Sequence, residues 1–191
     1  PYRRQRQMCI RDSAYGVQGI YSAPGKAVKE AYDSSGVVAN DRGITVWLKG
    51  NRVSRNQIMA IKEESVTDQK NSLTVCLDNI LRHAGITRNT EYDLAQGKTA
   101  IQILEENMTG VQVLDLSGCS LDAVLYYVNQ DIPVLAILED GEAVLVTGFN
   151  EFNVVIMEPS TGKLYKKGMN DATTWFAENG NHFISYMKIE N

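Results

Sequence analysis

Glu142-Ala143-Val144-Leu145-Val146-Thr147-Gly148-Phe149, then Asn150-Glu151-Phe152-Asn153, then Val154-Val155-Ile156-Met157-Glu158-Pro159 is the stretch that decides the fold. Two apolar runs rich in β-branched residues flank a short turn sequence, which reads as an antiparallel hairpin. The pattern continues on both sides. Val134–Leu138 precedes it across the turn Glu139-Asp140-Gly141-Glu142, and Leu164–Lys166 and Phe183–Lys188 follow. A short helix starting at Asn170 or Asp171 runs through Phe176, and Gly180 follows it. Upstream the period becomes helical. Val75, Leu77, Ile80, Leu81 and Ala84 form one face of a helix Thr74–Ala84 that Gly85 closes. Thr99–Asn107 is a second helix, Val111–Leu116 a strand, and Ser120 caps a third helix, Leu121–Asn129. Helices first and an antiparallel sheet after make an α+β arrangement.

Residues 14–64 form a smaller unit ahead of this. Tyr15–Tyr21 is strand-like, Ser22 and Pro24 start a helix, and Gly36 stops it. Val37–Ala39 and Ile44–Leu48 read as strands around the turn Asn40-Asp41-Arg42-Gly43, and Ser54 with Gln57 is set to cap a further helical turn before Ile58 and Ile61. This βαββ pattern is similar to small peptidoglycan-binding modules of bacterial envelope proteins; a packing module or a pro-segment has the same pattern. Glu63–Ser72 is polar, lacks a period and reads as a linker to a second unit, 66–191. The first thirteen residues, PYRRQRQMCIRDS, resemble translated adapter read-through at the edge of a metagenomic gene call. On that reading, or as a basic leader, residues 1–13 are expected to be disordered. A gene cut at that edge also implies that any signal peptide, anchor or partner domain lies outside this sequence, and localisation is left unknown.

The 191 residues are enough for a buried core, and 43% hydrophobic with 22% charged residues excludes a disordered chain. Net charge is −4, a poor basis for binding nucleic acid. No apolar run is long enough to span a bilayer. Three cysteines, Cys9, Cys76 and Cys119, make no disulfide scaffold. Neither a zinc spacing nor a phosphate-cradling glycine loop is present, so no cofactor or metal is expected.

Cys76 is the first chemical candidate, because a thiol in the first turn of a helix is favoured as thiolate by the helix dipole. A small buried packing residue is the commoner fate of a lone cysteine. The strings Ser72-Leu73-Thr74-Val75-Cys76-Leu77-Asp78-Asn79-Ile80-Leu81, Glu142 to Phe149 and Val154 to Pro159 together resemble the papain-like cysteine peptidase superfamily, more narrowly the bacteriocin-leader-processing type. There a cysteine opens the helix, a histidine opens a strand ending in Gly-aromatic, and an Asp or Asn stands before proline. The resemblance covers 66–191 and implies a papain-like fold, with the Cys76 helix packed on the sheet and the βαββ module in front. It maps the nucleophile to Cys76, the histidine to Glu142 and the acid to Glu158. The oxyanion glutamine position falls on Lys70, with Gln69 one place off, and Leu77-Asp78 replaces the usual Gly-Pro.

Glutamate at the histidine position defeats the chemistry. Imidazole takes the thiol proton and returns it to the leaving amine because its pKa lies near neutrality, and a carboxylate does not unless burial raises it by several units. Negative charge beside a thiol also raises its pKa. His83 lies two turns from Cys76 on the same helix, about 10 Å away, and His182 begins the last strand; neither is required to reach the site. Cys119 reads as packing, with a Cys76–Cys119 disulfide or a second reactive thiol as alternatives. Glu139, Asp140 and Glu151 read as solvated turn residues. The resulting expectation is a catalytically degenerate domain that binds peptide or a protein partner on a bacterial secreted or envelope protein. The alternatives are an active cysteine peptidase or amidase using Cys76, and a purely structural α+β domain.

Overall fold

The computed structural model describes residues 7–12, 16–34, 36–50 and 55–189. The large sheet is built on the hairpins expected from the apolar runs. It contains β6 (Val111–Asp115), β7 (Val134–Ile137), β8 (Ala143–Asn150), β9 (Asn153–Glu158), β10 (Lys163–Gly168) and β11 (His182–Lys188), in the order β10-β9-β8-β7-β11-β6, all neighbours antiparallel. Every residue of β8 from Ala143 to Phe149 is buried, as happens only when both faces of a strand are covered. The helices α2 (Ser72–His83) and α4 (Ala100–Asn107) pack against each other and on this sheet, α2 over β7 and β8. The helices α5 (Leu121–Asn129) and α6 (Met169–Glu178) form a second pair on it, α5 over β7, β8 and β11. Between α2 and α4 lies α3 (Glu91–Ala95), which the sequence pattern did not reveal.

The helix starts follow ordinary capping chemistry. Thr99 and Gln102 form a reciprocal capping box at α4, and Ser120 Oγ accepts from Ala123 N–H at α5. At α2 the cap is Asn71, whose Oδ1 accepts from Thr74 N–H at 2.8 Å. The helix therefore begins two residues earlier than the Thr74 start expected from the sequence. Cys76 stands one turn inside it rather than in the first turn.

The smaller sheet has the order β2-β1-β3-β4, from β1 (Met8–Asp12), β2 (Gly16–Tyr21), β3 (Val37–Asn40) and β4 (Thr45–Leu48), with α1 (Pro24–Ser34) against it. The expected disorder of residues 1–13 does not hold over Met8–Asp12: β1 pairs with both β2 and β3, and Met8 and Ile10 are buried. Two apolar side chains on one face of a strand are enough to hold it in the core, whatever the charge of their neighbours. Residues 1–6 and 13 lie outside the described set.

The helical turn expected before Ile58 is instead β5 (Arg55–Gln57), which pairs with the far half of β8. Ser54, its expected cap, lies outside the described residues. At Gly148 a Cβ would meet Asn56 O at 2.9 Å, so the close approach of β5 requires glycine. The small sheet and α1 are fastened to α5 through polar bonds. Trp47 Nε1–H donates to Ala123 O at 3.0 Å, Tyr127 O–H to Val46 O at 3.0 Å, and Tyr32 O–H to Asp122 Oδ2 at 2.8 Å. Asn40 Nδ2–H donates to Gln112 Oε1 of β6 at 3.1 Å. Among the described residues, no helix is long and apolar enough to cross a membrane.

Candidate functional site

The α2 helix points its capped N-terminus at the start of β8. There Ser72, the first residue of α2, accepts a hydrogen bond on Oγ from Ala143 N–H at 2.9 Å. Ser72 is only 2% exposed, yet it borders a groove of about 610 Å³. Glu142 borders the same groove from the turn before β8, and Asp68, Gln69 and Lys70 border it from the segment before α2. Glu91 and Leu94 of α3 close the opposite side, and Ser160 closes the β9–β10 end. The expected linker is thus a wall of this groove. It is held by a bridge between Thr67 and Lys70, by Val66 N–H donating to Pro159 O at 3.1 Å, and by Leu164 N–H donating to Glu63 Oε1 at 3.0 Å.

The sequence-derived site residues divide into two groups. Gln69 and Glu142 come together on the groove. Cys76 does not line it: its side chain is wholly enclosed among core residues. Burial pushes its thiol pKa well above the ordinary value, and the charges of Glu142 and Glu64 push it further the same way. Glu158 is partly buried and occupied locally, Oε2 accepting from Thr161 O–H at 2.8 Å and Oε1 from Tyr165 O–H at 3.5 Å. Lys70, at the expected glutamine position, turns back to the buried Asp78, Nζ to Oδ2 at 2.6 Å.

Both histidines lie elsewhere. His83 sits at the C-terminal end of α2, with Nδ1 3.4 Å from Tyr186 Oη and Nε2 3.6 Å from Asp131 Oδ2. It borders a separate cavity with Tyr186 and Lys188. His182 opens β11 opposite Ile137 of β7 and is exposed. Cys119 is buried and unpaired, its Sγ–H donating to Gly25 O at 3.2 Å, and burial raises its pKa to about 12.

A crystal structure described as a C39-like peptidase from Bacillus anthracis superposes on this chain with a TM-score of 0.60 and 15% identity, over 73% of this chain and 100% of that one. The fold is papain-like. No protein-family model matches the chain, and no curated protein does. Within this papain-like frame, sequence reasoning missed Ser72 as the groove residue at the helix opening. The available signal was the capping run Asn71-Ser72-Leu73-Thr74, in which three residues compete for the helix start.

Proposed function

We propose that this papain-like domain has lost peptidase chemistry and uses the groove between α2, α3 and β8 to bind a peptide or protein partner, on a bacterial secreted or envelope protein. The observation that carries the reading is the character of the residues at the helix opening. In the resembled family the nucleophilic cysteine opens the helix. Here Ser72 opens α2, and Glu142, which the resemblance maps to the histidine, borders the same groove.

The chemistry follows from that pair. A serine hydroxyl becomes a nucleophile only when a base takes its proton in the attacking geometry. Glu142 is partly exposed, and a solvated carboxylate is too weak a base for a hydroxyl. Neither His83 nor His182 borders the groove. Cys76 has the wrong surroundings for a nucleophile, since enclosure in apolar side chains favours the neutral thiol. The segment Val66–Lys70 and the α3 side chains still form two walls of a cleft, which is what peptide binding requires.

The test is incubation of the full chain with a mixed peptide library, read by mass spectrometry for cleavage and by co-elution for binding. The expected result is retention of a peptide subset without new termini. Cleavage that survives Ser72→Ala but is lost in Cys76→Ala would replace this reading with an active cysteine peptidase.

A further inference from the structure

We propose that the groove takes a basic peptide segment, one that presents at least two lysine or arginine side chains to Asp68, Glu91 and Glu142. This deepens the binding reading above and rests on it. The three carboxylates come from three different elements, the segment before α2, α3 and the turn before β8, and all border the groove. Among the described residues none of the three has an ion-pair partner, whereas Glu64, Asp93 and Glu106, which do not line the groove, each have one. Glu64 pairs with Arg82 at 3.1 Å, Asp93 with Arg88 and Lys98 at 2.8 and 3.0 Å, and Glu106 with Lys98 at 2.7 Å.

Lys70, the cation on the groove wall, is drawn back by Asp78 and offers little to an incoming anion. The positive end of the α2 dipole, about half a charge, is already capped by Asn71 and does not offset three carboxylates. A cleft lined by one sign of charge concentrates ligands of the other sign.

The form of the ligand follows from the other groups. Among the described residues no three carboxylate, histidine or cysteine side chains come together as a metal site needs, so the charges call for spaced cations rather than one ion. Ser72 borders the groove and accepts from Ala143 N–H; a hydroxyl that accepts one bond still carries a proton it can donate. Val66, Leu94 and Ala95 add apolar surface for the stems of long basic side chains.

The experiment is fluorescence anisotropy of the full chain with fluorescein-labelled octapeptides that alternate alanine with lysine or arginine, with glutamate, or with serine. The basic peptide is expected to bind best, with affinity falling as salt is raised. Asp68→Asn, Glu91→Gln and Glu142→Gln combined are expected to weaken it by about 10-fold, as three exposed charge pairs would. Glu151→Gln with Glu178→Gln, on other surfaces, should leave it unchanged. Ala95→Trp, which fills the groove from exposed α3, should abolish binding. Equal binding of the basic peptide by the triple variant overturns the proposal. Binding of the serine peptide as tightly as the basic one, still blocked by Ala95→Trp, overturns the ligand class and leaves the binding reading standing. No binding of any peptide overturns both.

Discussion

The two ends of α2 and the stretch between them separate what a cysteine peptidase must bring together. At the N-terminal end a hydroxyl, Ser72, meets the groove; one turn in, the thiol of Cys76 is sealed in the core; at the C-terminal end the imidazole of His83 faces Tyr186 and Asp131. The helix thus carries a thiol and an imidazole, but neither at the cleft. Which turn of the helix a residue occupies, more than its type, sets whether it borders the cleft.

The sharpest way to break this comparison is to move the thiol. Ser72→Cys is expected to be alkylated by iodoacetamide about 10-fold or more faster than Cys76 in the same folded protein, because it borders open space. Equal rates would mean that the groove does not reach the helix opening. Adding Glu142→His in that background is expected to lower the pKa of the new thiol, since imidazolium stabilises a thiolate where glutamate opposes it. An unchanged titration would place residue 142 out of reach of the helix opening.

The next effect concerns how firmly the small sheet is joined to the large one. Trp47→Ala removes a fully packed indole and its bond to Ala123 O, and should cost about 3–5 kcal/mol in urea denaturation. A loss well below 1 kcal/mol would show that the two sheets are stabilised separately.

A smaller effect is expected at Asp78, which holds one wall of the groove. Its Oδ1 accepts from Thr90 N–H and Oγ1–H at 2.8 and 2.9 Å while Oδ2 holds Lys70. Asp78→Ala strands buried Thr90 donors and should cost about 2–3 kcal/mol. It also frees Lys70, so basic peptides should bind more weakly in that variant.

The smallest effect is the pH dependence at Asp93, whose carboxyl is held below the usual range by hydrogen bonds from Arg88 and Lys98. A lowered folded pKa contributes stability above the unfolded value, and that contribution disappears as pH falls through the lowered one. Asp93→Asn should therefore flatten the acid limb of stability against pH, measured by thermal melts. An acid limb as steep as in the unsubstituted chain would assign it to other carboxylates.

Much of the fold was legible because its hairpins are periodic. β7, β8 and β9 announce themselves by apolar runs between turn residues, and α4 and α5 by Thr99 and Ser120 at their caps. What was not legible depends on pairing between distant residues. β5 is Arg55-Asn56-Gln57, polar side chains with no strand signature, and is a strand only because β8 offers its edge. In β1, the alternation of Met8 and Ile10 was overshadowed by the surrounding arginines, and burial outweighs them. The site was half legible. Glu142 and Gln69 reach the groove, but that Ser72 and not Cys76 lines it turns on which residue caps α2, and Ser72 meets Ala143 across 71 residues of sequence.

The most direct test is iodoacetamide labelling of the folded, unsubstituted protein at neutral pH, with each cysteine quantified by peptide mass spectrometry. Cys9, partly exposed on β1, serves as the internal reference. Cys76 is expected to stay unmodified until the protein is unfolded, while Cys9 reacts. Rapid, selective modification of Cys76 in the folded protein would contradict it and return the thiol to the centre of the site.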